Sequence, residues 1–133
     1  TGNNRTHMIR VPDSGRFELR LMDGSSNPYL LQAGILAAGL YGLNNKVDPG
    51  DPLSCNMYTD YNNYPNLKKL PDEIEDALDF LKNSKELKEA FGEDVIKSYI
   101  KLKKMEIEDF NKSERFDKKS SVTDWEKNNT LDC

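Results

Sequence analysis

NRTHMIRVPDSGRFELRLMDGSSNPYLL, Asn4 to Leu31, is the stretch on which the reading of this chain turns. It carries Arg5, Arg10, Arg16 and Arg20 and a single glutamate, Glu18, on two short segments that run into a long apolar one. From Arg16 to Leu21 the pattern alternates strictly. Arg16, Glu18 and Arg20 fall on one face of a strand, and Phe17, Leu19 and Leu21 fall on the other. Arg5 to Val11 reads as a second strand, and Val11-Pro12-Asp13-Ser14-Gly15 reads as the turn between them. A loop from Val11 to Gly15 predicts Arg10 opposite Arg16, Met8 opposite Glu18 and Thr6 opposite Arg20. Opposed residues share a face, so Arg10, Arg16, Glu18 and Arg20 are expected to cluster. A one-residue change in the loop would send Arg10 to the other side.

Asn27 is a suitable N-cap and Pro28 a suitable first residue for the helix that follows. That helix is expected from Pro28 to about Leu43, with a left-handed cap at Asn44-Asn45. It is apolar nearly all round and narrowed by Ala33, Gly34, Ala37, Ala38, Gly39 and Gly42. Such a helix is expected to be buried and closely approached by other backbones. The chain has too little other apolar surface to cover it, which points to a missing sheet or domain. The opening residue Thr1, in place of Met, points the same way, toward a fragment.

Further along, 46–70 reads as a long loop with Tyr58, Tyr61 and Tyr64 evenly spaced. From 71 to 133 the chain reads as helical. Pro71 opens one helix, Ser84 caps a short one closed by Gly92, and a third runs from Glu93 to about Asn111. From Lys112 onward the sequence is polar and reads as weakly structured, with Trp125 as its only obvious anchor. The fold class is therefore α+β, divided as 1–45 (hairpin and helix), 46–70 (loop) and 71–133 (helical region).

The 133 residues are 36% hydrophobic and 32% charged, with a net charge of −4. That allows only a thin core and argues against a nucleic-acid or membrane-surface binder. No apolar run is long enough to span a bilayer; Tyr29 to Leu43 is too short and interrupted by glycines. Cys55 and Cys133 make no disulfide framework and read as free thiols of a reducing cytoplasm. N-x-[ST] triplets at Asn4, Asn111 and Asn128 are expected by chance in this composition.

The basic cluster is thus local, and suits a small anionic ligand. Arginine offers a planar fork of donors to phosphate and carboxylate oxygens and stays charged at any working pH. Several arginines imply several anionic groups. Glu18 could balance their charge or ligate a divalent cation, although one glutamate does not make a metal site. The competing reading is a solvated hairpin face whose surface ion pairs are worth little each.

Asn4-Arg5-Thr6, Ile9-Arg10-Val11-Pro12, Arg16-Phe17-Glu18-Leu19-Arg20, Asp23 and Asn27-Pro28-Tyr29-Leu30 resemble, in order and spacing, the C-terminal part of the glutamine synthetase catalytic domain. Asn56-Met57-Tyr58 resembles a further family segment. The resemblance implies that Arg5 is a catalytic contact, meeting the transferring phosphoryl group and the reactive end of glutamate. It implies that Arg10 and Arg16 hold the nucleotide phosphates and that Arg20 pairs with the glutamate α-carboxylate. Glu18 would ligate Mg2+ or Mn2+. The implied partners are ATP, glutamate and ammonia, in a cytoplasmic homo-oligomer that binds neither nucleic acid nor membrane.

Met22 and Gly24 stand where the family has prolines, and Thr6 and His7 replace small residues. His7, the only histidine, reads as a strand residue beside the site. The family's other metal ligands, its glutamate-gating loop and its N-terminal domain lie upstream, and its sites form between subunits, so the fragment is expected to be inactive alone. Tyr58 matches a region that some bacterial members modify; packing within the loop is expected here for all three tyrosines. The alternatives are a relative that joins glutamate to methylamine or a polyamine, and a non-catalytic anion-binding or assembly module.

Overall fold

A computed structural model describes residues 5–113 and 122–130. The expectation of weak structure for 114–121 and 131–133 lies outside the described residues. The chain forms two compact units. One holds the residues up to Ser26 together with Asp48–Leu70; the other holds Asn27–Val47 and the chain from Pro71 onward.

The first unit is built on a hairpin of β1 (Ile9–Asp13) and β2 (Arg16–Leu19). Both strands are shorter than the alternation predicts. Their pairing is antiparallel: Ile9 faces Leu19, Arg10 faces Glu18 and Asp13 faces Arg16. The turn is therefore only Ser14-Gly15. Gly15 has φ +77°, which a turn of this kind reserves for glycine. This corrects the expected register, in which Arg10 faced Arg16. Between the pairs Arg10–Glu18 and Asp13–Arg16, β1 has two residues, Val11 and Pro12, against Phe17 alone in β2. That is a β-bulge, and Pro12, which has no N–H to give the ladder, sits in it.

The segment 46–70 is not structureless. It contains α2 (Met57–Asp60) and a 3-10 turn at Tyr61–Asn63. The Asn56 side chain caps α2 by accepting from the Tyr58 N–H at 3.1 Å. The three tyrosines part company here. Tyr61 lies under the Lys69 ammonium, 4.8 Å from the ring centre, and Tyr64 is half-buried. Tyr58 is 83% exposed, so it does not pack in the loop as expected.

The second unit begins with α1 (Pro28–Asn44). Asn27 Oδ1 accepts from the N–H groups of Tyr29 and Leu30 at 3.0 and 3.1 Å, as the cap predicts. The C-terminus differs from expectation by one residue. Asn45 keeps φ −95°, and its side-chain amide donates to the Tyr41 carbonyl at 2.9 Å. Lys46 takes the positive φ, +49°. The Lys46 and Val47 N–H groups then close on the carbonyls of Leu43 (3.2 Å) and Gly42 (2.9 Å), which is a Schellman motif.

No residue of α1 is buried, and a methyl group added at Gly34, Gly39 or Gly42 would meet open space. The close backbone approach expected at these glycines is absent among the described residues. The helix is apolar nearly all round, and the described residues only half-cover one face of it, at Leu31, Ala33, Gly34, Ile35, Ala37 and Gly42.

α3 (Ile74–Asn83), α4 (Lys85–Phe91) and α5 (Glu93–Ser113) complete the helical framework. α3 starts three residues after Pro71, which lies outside it. Ser84 Oγ accepts from the Leu87 N–H at 3.2 Å, and Gly92 closes α4 with φ +84°. The buried apolar residues of this framework are Leu78 on α3 and Ile96 on α5. α6 (Asp124–Asn129) was not expected. Its signal is Thr123-x-x-Glu126, a capping box in which each residue's side chain accepts from the other's N–H. Trp125 anchors it, packing edge-on to Phe110 at 5.4 Å and donating to Asp109 Oδ2 at 2.8 Å.

Candidate active site

The charged face of the hairpin is the candidate site. The register error of the sequence reading is an even one, so the pleat keeps Arg10 on the face of Glu18. Arg10 now stands directly opposite that residue. A single guanidinium nitrogen, Nη1, donates to both oxygens of Glu18, at 3.0 Å to Oε1 and 2.9 Å to Oε2. The bulge adds a residue that the sequence reading missed. By shifting parity within β1 it brings Asp13 onto the same face, where Arg16 Nη2 lies 3.5 Å from Asp13 Oδ2 and 3.5 Å from Glu18 Oε1. The signal was legible only to a reader who closed the turn at Ser14-Gly15.

Burial in this unit is inverted relative to the expected half-buried strand. Arg10 is 9% exposed, whereas Ile9, Val11 and Phe17 are 51–64% exposed. The described residues leave the apolar face of the hairpin exposed. Glu18 is held below the ordinary carboxylate value by the hydrogen bond from Arg10, with Arg16 and Arg20 adding attraction. It is ionised at any physiological pH.

Arg20 extends the hairpin by donating its backbone N–H to the Met8 carbonyl at 2.8 Å. Its side chain is exposed and acts on Glu18 only as a nearby charge. Arg5 is exposed and forms no ion pair among the described residues. The structure thus brings Arg10, Arg16 and Glu18 together, with Arg20 beside them. Arg5 enters the same unit through its neighbour. The Thr6 hydroxyl oxygen accepts from the Met57 N–H at 3.0 Å, which ties the Arg5 segment to the start of α2.

His7 is half-buried ahead of β1 and belongs to no metal cluster. Among the described residues no group of three or more His, Cys, Asp and Glu side chains could hold a metal ion. Glu18 is one carboxylate, and both its oxygens accept from Arg10. The residues of this chain do not by themselves fit a divalent cation.

The family model for the glutamine synthetase catalytic domain matches residues 1–129. The chain belongs to the glutamine synthetase family. It is 48% identical over 132 residues to a glutamine synthetase of Rhizobium meliloti (strain 1021), an alignment covering 99% of this chain and 28% of that protein. It is 38% identical to a glutamate–methylamine ligase of Methyloversatilis universalis, over 98% of this chain and 28% of that one. A GmaS chain solved as an ADP complex superposes with a TM-score of 0.77 at 42% identity, over 99% of this chain and 28% of the other. The chain therefore spans 28% of the length of these relatives. Its α+β fold, hairpin followed by helices, matches part of a glutamine synthetase catalytic domain. No helix of the described residues is long and apolar enough to cross a membrane.

Proposed function

We propose that the protein carrying this chain is an ATP-dependent glutamate–ammonia ligase, and that the charged hairpin face is its anion-handling part. The observation that carries the reading is the meeting of Arg10, Arg16 and Glu18 on one face of a chain that belongs to this family. ATP passes its γ-phosphoryl group to a side-chain carboxylate oxygen of glutamate, giving ADP and an acyl phosphate. Ammonia attacks the acyl carbon, phosphate leaves, and the attacking nitrogen sheds a proton. Such a phosphoryl transfer asks the protein for position and charge neutralisation more than for covalent help.

In this reading Arg10 and Arg16 hold the nucleotide phosphates, and the ADP bound in the related GmaS complex supports a nucleotide here. Arg5 meets the transferring phosphoryl group and the reactive end of glutamate. Arg20 pairs with the glutamate α-carboxylate, which suits its exposed and weakly engaged side chain. Glu18 supplies one ligand to Mg2+ or Mn2+, the others coming from outside this chain. The whole protein works as a cytoplasmic homo-oligomer, and the isolated chain is inactive. The deciding experiment is Arg16→Ala and Arg20→Ala in the whole protein. We expect each to lower kcat/KM by about a hundredfold or more with fold and assembly retained. Unchanged kinetics in both would remove the site reading and leave an anion-binding or assembly module.

A second reading changes only the amine. The likeness to a glutamate–methylamine ligase keeps it open. Comparing kcat/KM for ammonia, methylamine and a polyamine in the same preparation separates the two.

A further inference from the structure

Arg5 stands ahead of the hairpin ladder. At that end the ladder closes with the bond from the Arg20 N–H to the Met8 carbonyl, at 2.8 Å. Three residues of chain span up to about 10 Å, so the ladder alone does not set where Arg5 stands. Thr6 and His7, which lie between, are half-buried, whereas Arg5 is exposed.

A further fixed point lies one residue from Arg5. The Thr6 hydroxyl oxygen accepts from the Met57 N–H at 3.0 Å, across 51 positions of sequence. Met57 opens α2, and the first N–H groups of a helix have no acceptor within it. The rest of that turn is closed on itself. The Asn56 N–H donates to Asp60 Oδ2 at 3.1 Å, and the Tyr58 N–H donates to Asn56 Oδ1 at 3.1 Å. The Thr59 and Asp60 N–H groups both donate to the Asn56 carbonyl, at 3.1 and 2.8 Å. Thr6 therefore bonds to a turn whose other amides are already held. A β-branched side chain has few χ1 choices, so a fixed hydroxyl also fixes its own backbone, and Arg5 is the next residue along it.

We propose that Thr6 is a positioning residue: through the Met57 N–H it holds the Arg5 backbone where the Arg5 guanidinium meets the transferring phosphoryl group. The inference rests on the reading of Arg5 given above, and adds what places that residue. A misplacement of about 1 Å in such a contact costs up to about a hundredfold in rate. The loss falls on kcat, because Arg5 meets the group in transfer while Arg10 and Arg16 hold the nucleotide phosphates.

The test is steady-state kinetics of the whole protein with each end of the bond removed in turn. Thr6→Val keeps the shape and loses the acceptor. Met57→Pro loses the donor and keeps the helix, since proline suits the first helical position and Asn56 before it is already extended, at φ −85° and ψ 103°. Each is expected to lower kcat by about tenfold with KM for ATP unchanged, and the two together to lower it no further than either alone. Thr6→Ser, which keeps the hydroxyl, is expected to recover most of kcat. Arg5→Ala is expected to lower kcat by about a hundredfold, and Thr6→Val added to it to do nothing more. Wild-type kcat in Thr6→Val and in Met57→Pro, beside a slow Arg5→Ala, overturns the tether and leaves the reading of Arg5 standing. A Thr6→Val loss that persists in full on top of Arg5→Ala also overturns it, since Thr6 then acts by another route. Wild-type kcat in Arg5→Ala removes the reading of Arg5, and the proposal with it. Should Thr6→Val fail to fold, Met57→Pro carries the same comparison from the other end of the bond.

Discussion

At the scale of single residues, the hairpin face is a small charge-sorting device. Three guanidiniums, those of Arg10, Arg16 and Arg20, share it with the carboxylates of Glu18 and Asp13, which leaves it net positive. Glu18 is the hub, since each of the three arginines lowers its proton affinity. The consequence for stability has a definite sign. A carboxyl whose folded-state value lies below its ordinary 4.5 contributes stability that is fully present above pH 4.5 and fades as the pH falls through the folded value. Glu18→Gln removes that contribution. We expect the melting temperature of the variant to lie below that of wild type at pH 7. The gap should close as the pH is lowered from 4.5. Parallel melts of the two whole proteins across that range check this, and a gap independent of pH would show that Glu18 is not ionised against Arg10.

Local chemistry explains most of the element boundaries. α1 starts where Asn27 can satisfy two N–H groups, α4 starts at Ser84, and α6 exists because Thr123 and Glu126 satisfy each other. The hairpin turn is short because Gly15 accepts a positive φ, and the bulge sits at Pro12. One element end is built against preference. Lys46 holds the left-handed position that closes α1, where glycine is the usual residue. Replacing it should relieve the clash between Cβ and backbone, less the extra unfolded-state freedom of glycine. Lys46→Gly is therefore expected to stabilise the fold by about 0.5–1 kcal/mol. Chemical denaturation of the whole protein measures it. A loss of stability would mean that the lysine side chain holds the end of α1 in a way the Schellman bonds do not require.

At the scale of the whole molecule, little apolar surface is buried. Among the described residues the buried apolar ones are Leu78 and Ile96, while Tyr29, Leu36, Leu40 and Leu43 of α1 are 57–83% exposed. Soluble chains rarely leave so much apolar surface bare. The chain spans 28% of its relatives' length. By itself the 133-residue chain is expected to be marginally stable and to self-associate through α1. Sedimentation should show oligomers that grow with concentration. Leu36→Glu together with Leu40→Glu should reduce them to monomer; oligomers unaffected by this change would place the contact elsewhere.

What the amino-acid sequence determined by itself was the set of groups and the face they share. Alternation along a strand has a period of two, so Arg10, Arg16, Glu18 and Arg20 had to lie together under any even register. Caps are local, so Asn27, Ser84 and Gly92 marked their helix ends without help from the rest of the fold. The motif order around the arginines carried the family. Tertiary structure alone decided who bonds whom. A turn of two residues and a bulge at Pro12 placed Arg10 against Glu18, and brought Asp13 to Arg16. Thr6 met Met57 across fifty residues of chain. These outcomes depend on the length of one turn and on which N–H groups the ladder can use. Hydrophobic pattern is blind to both, because moving a strand by two residues buries the same face.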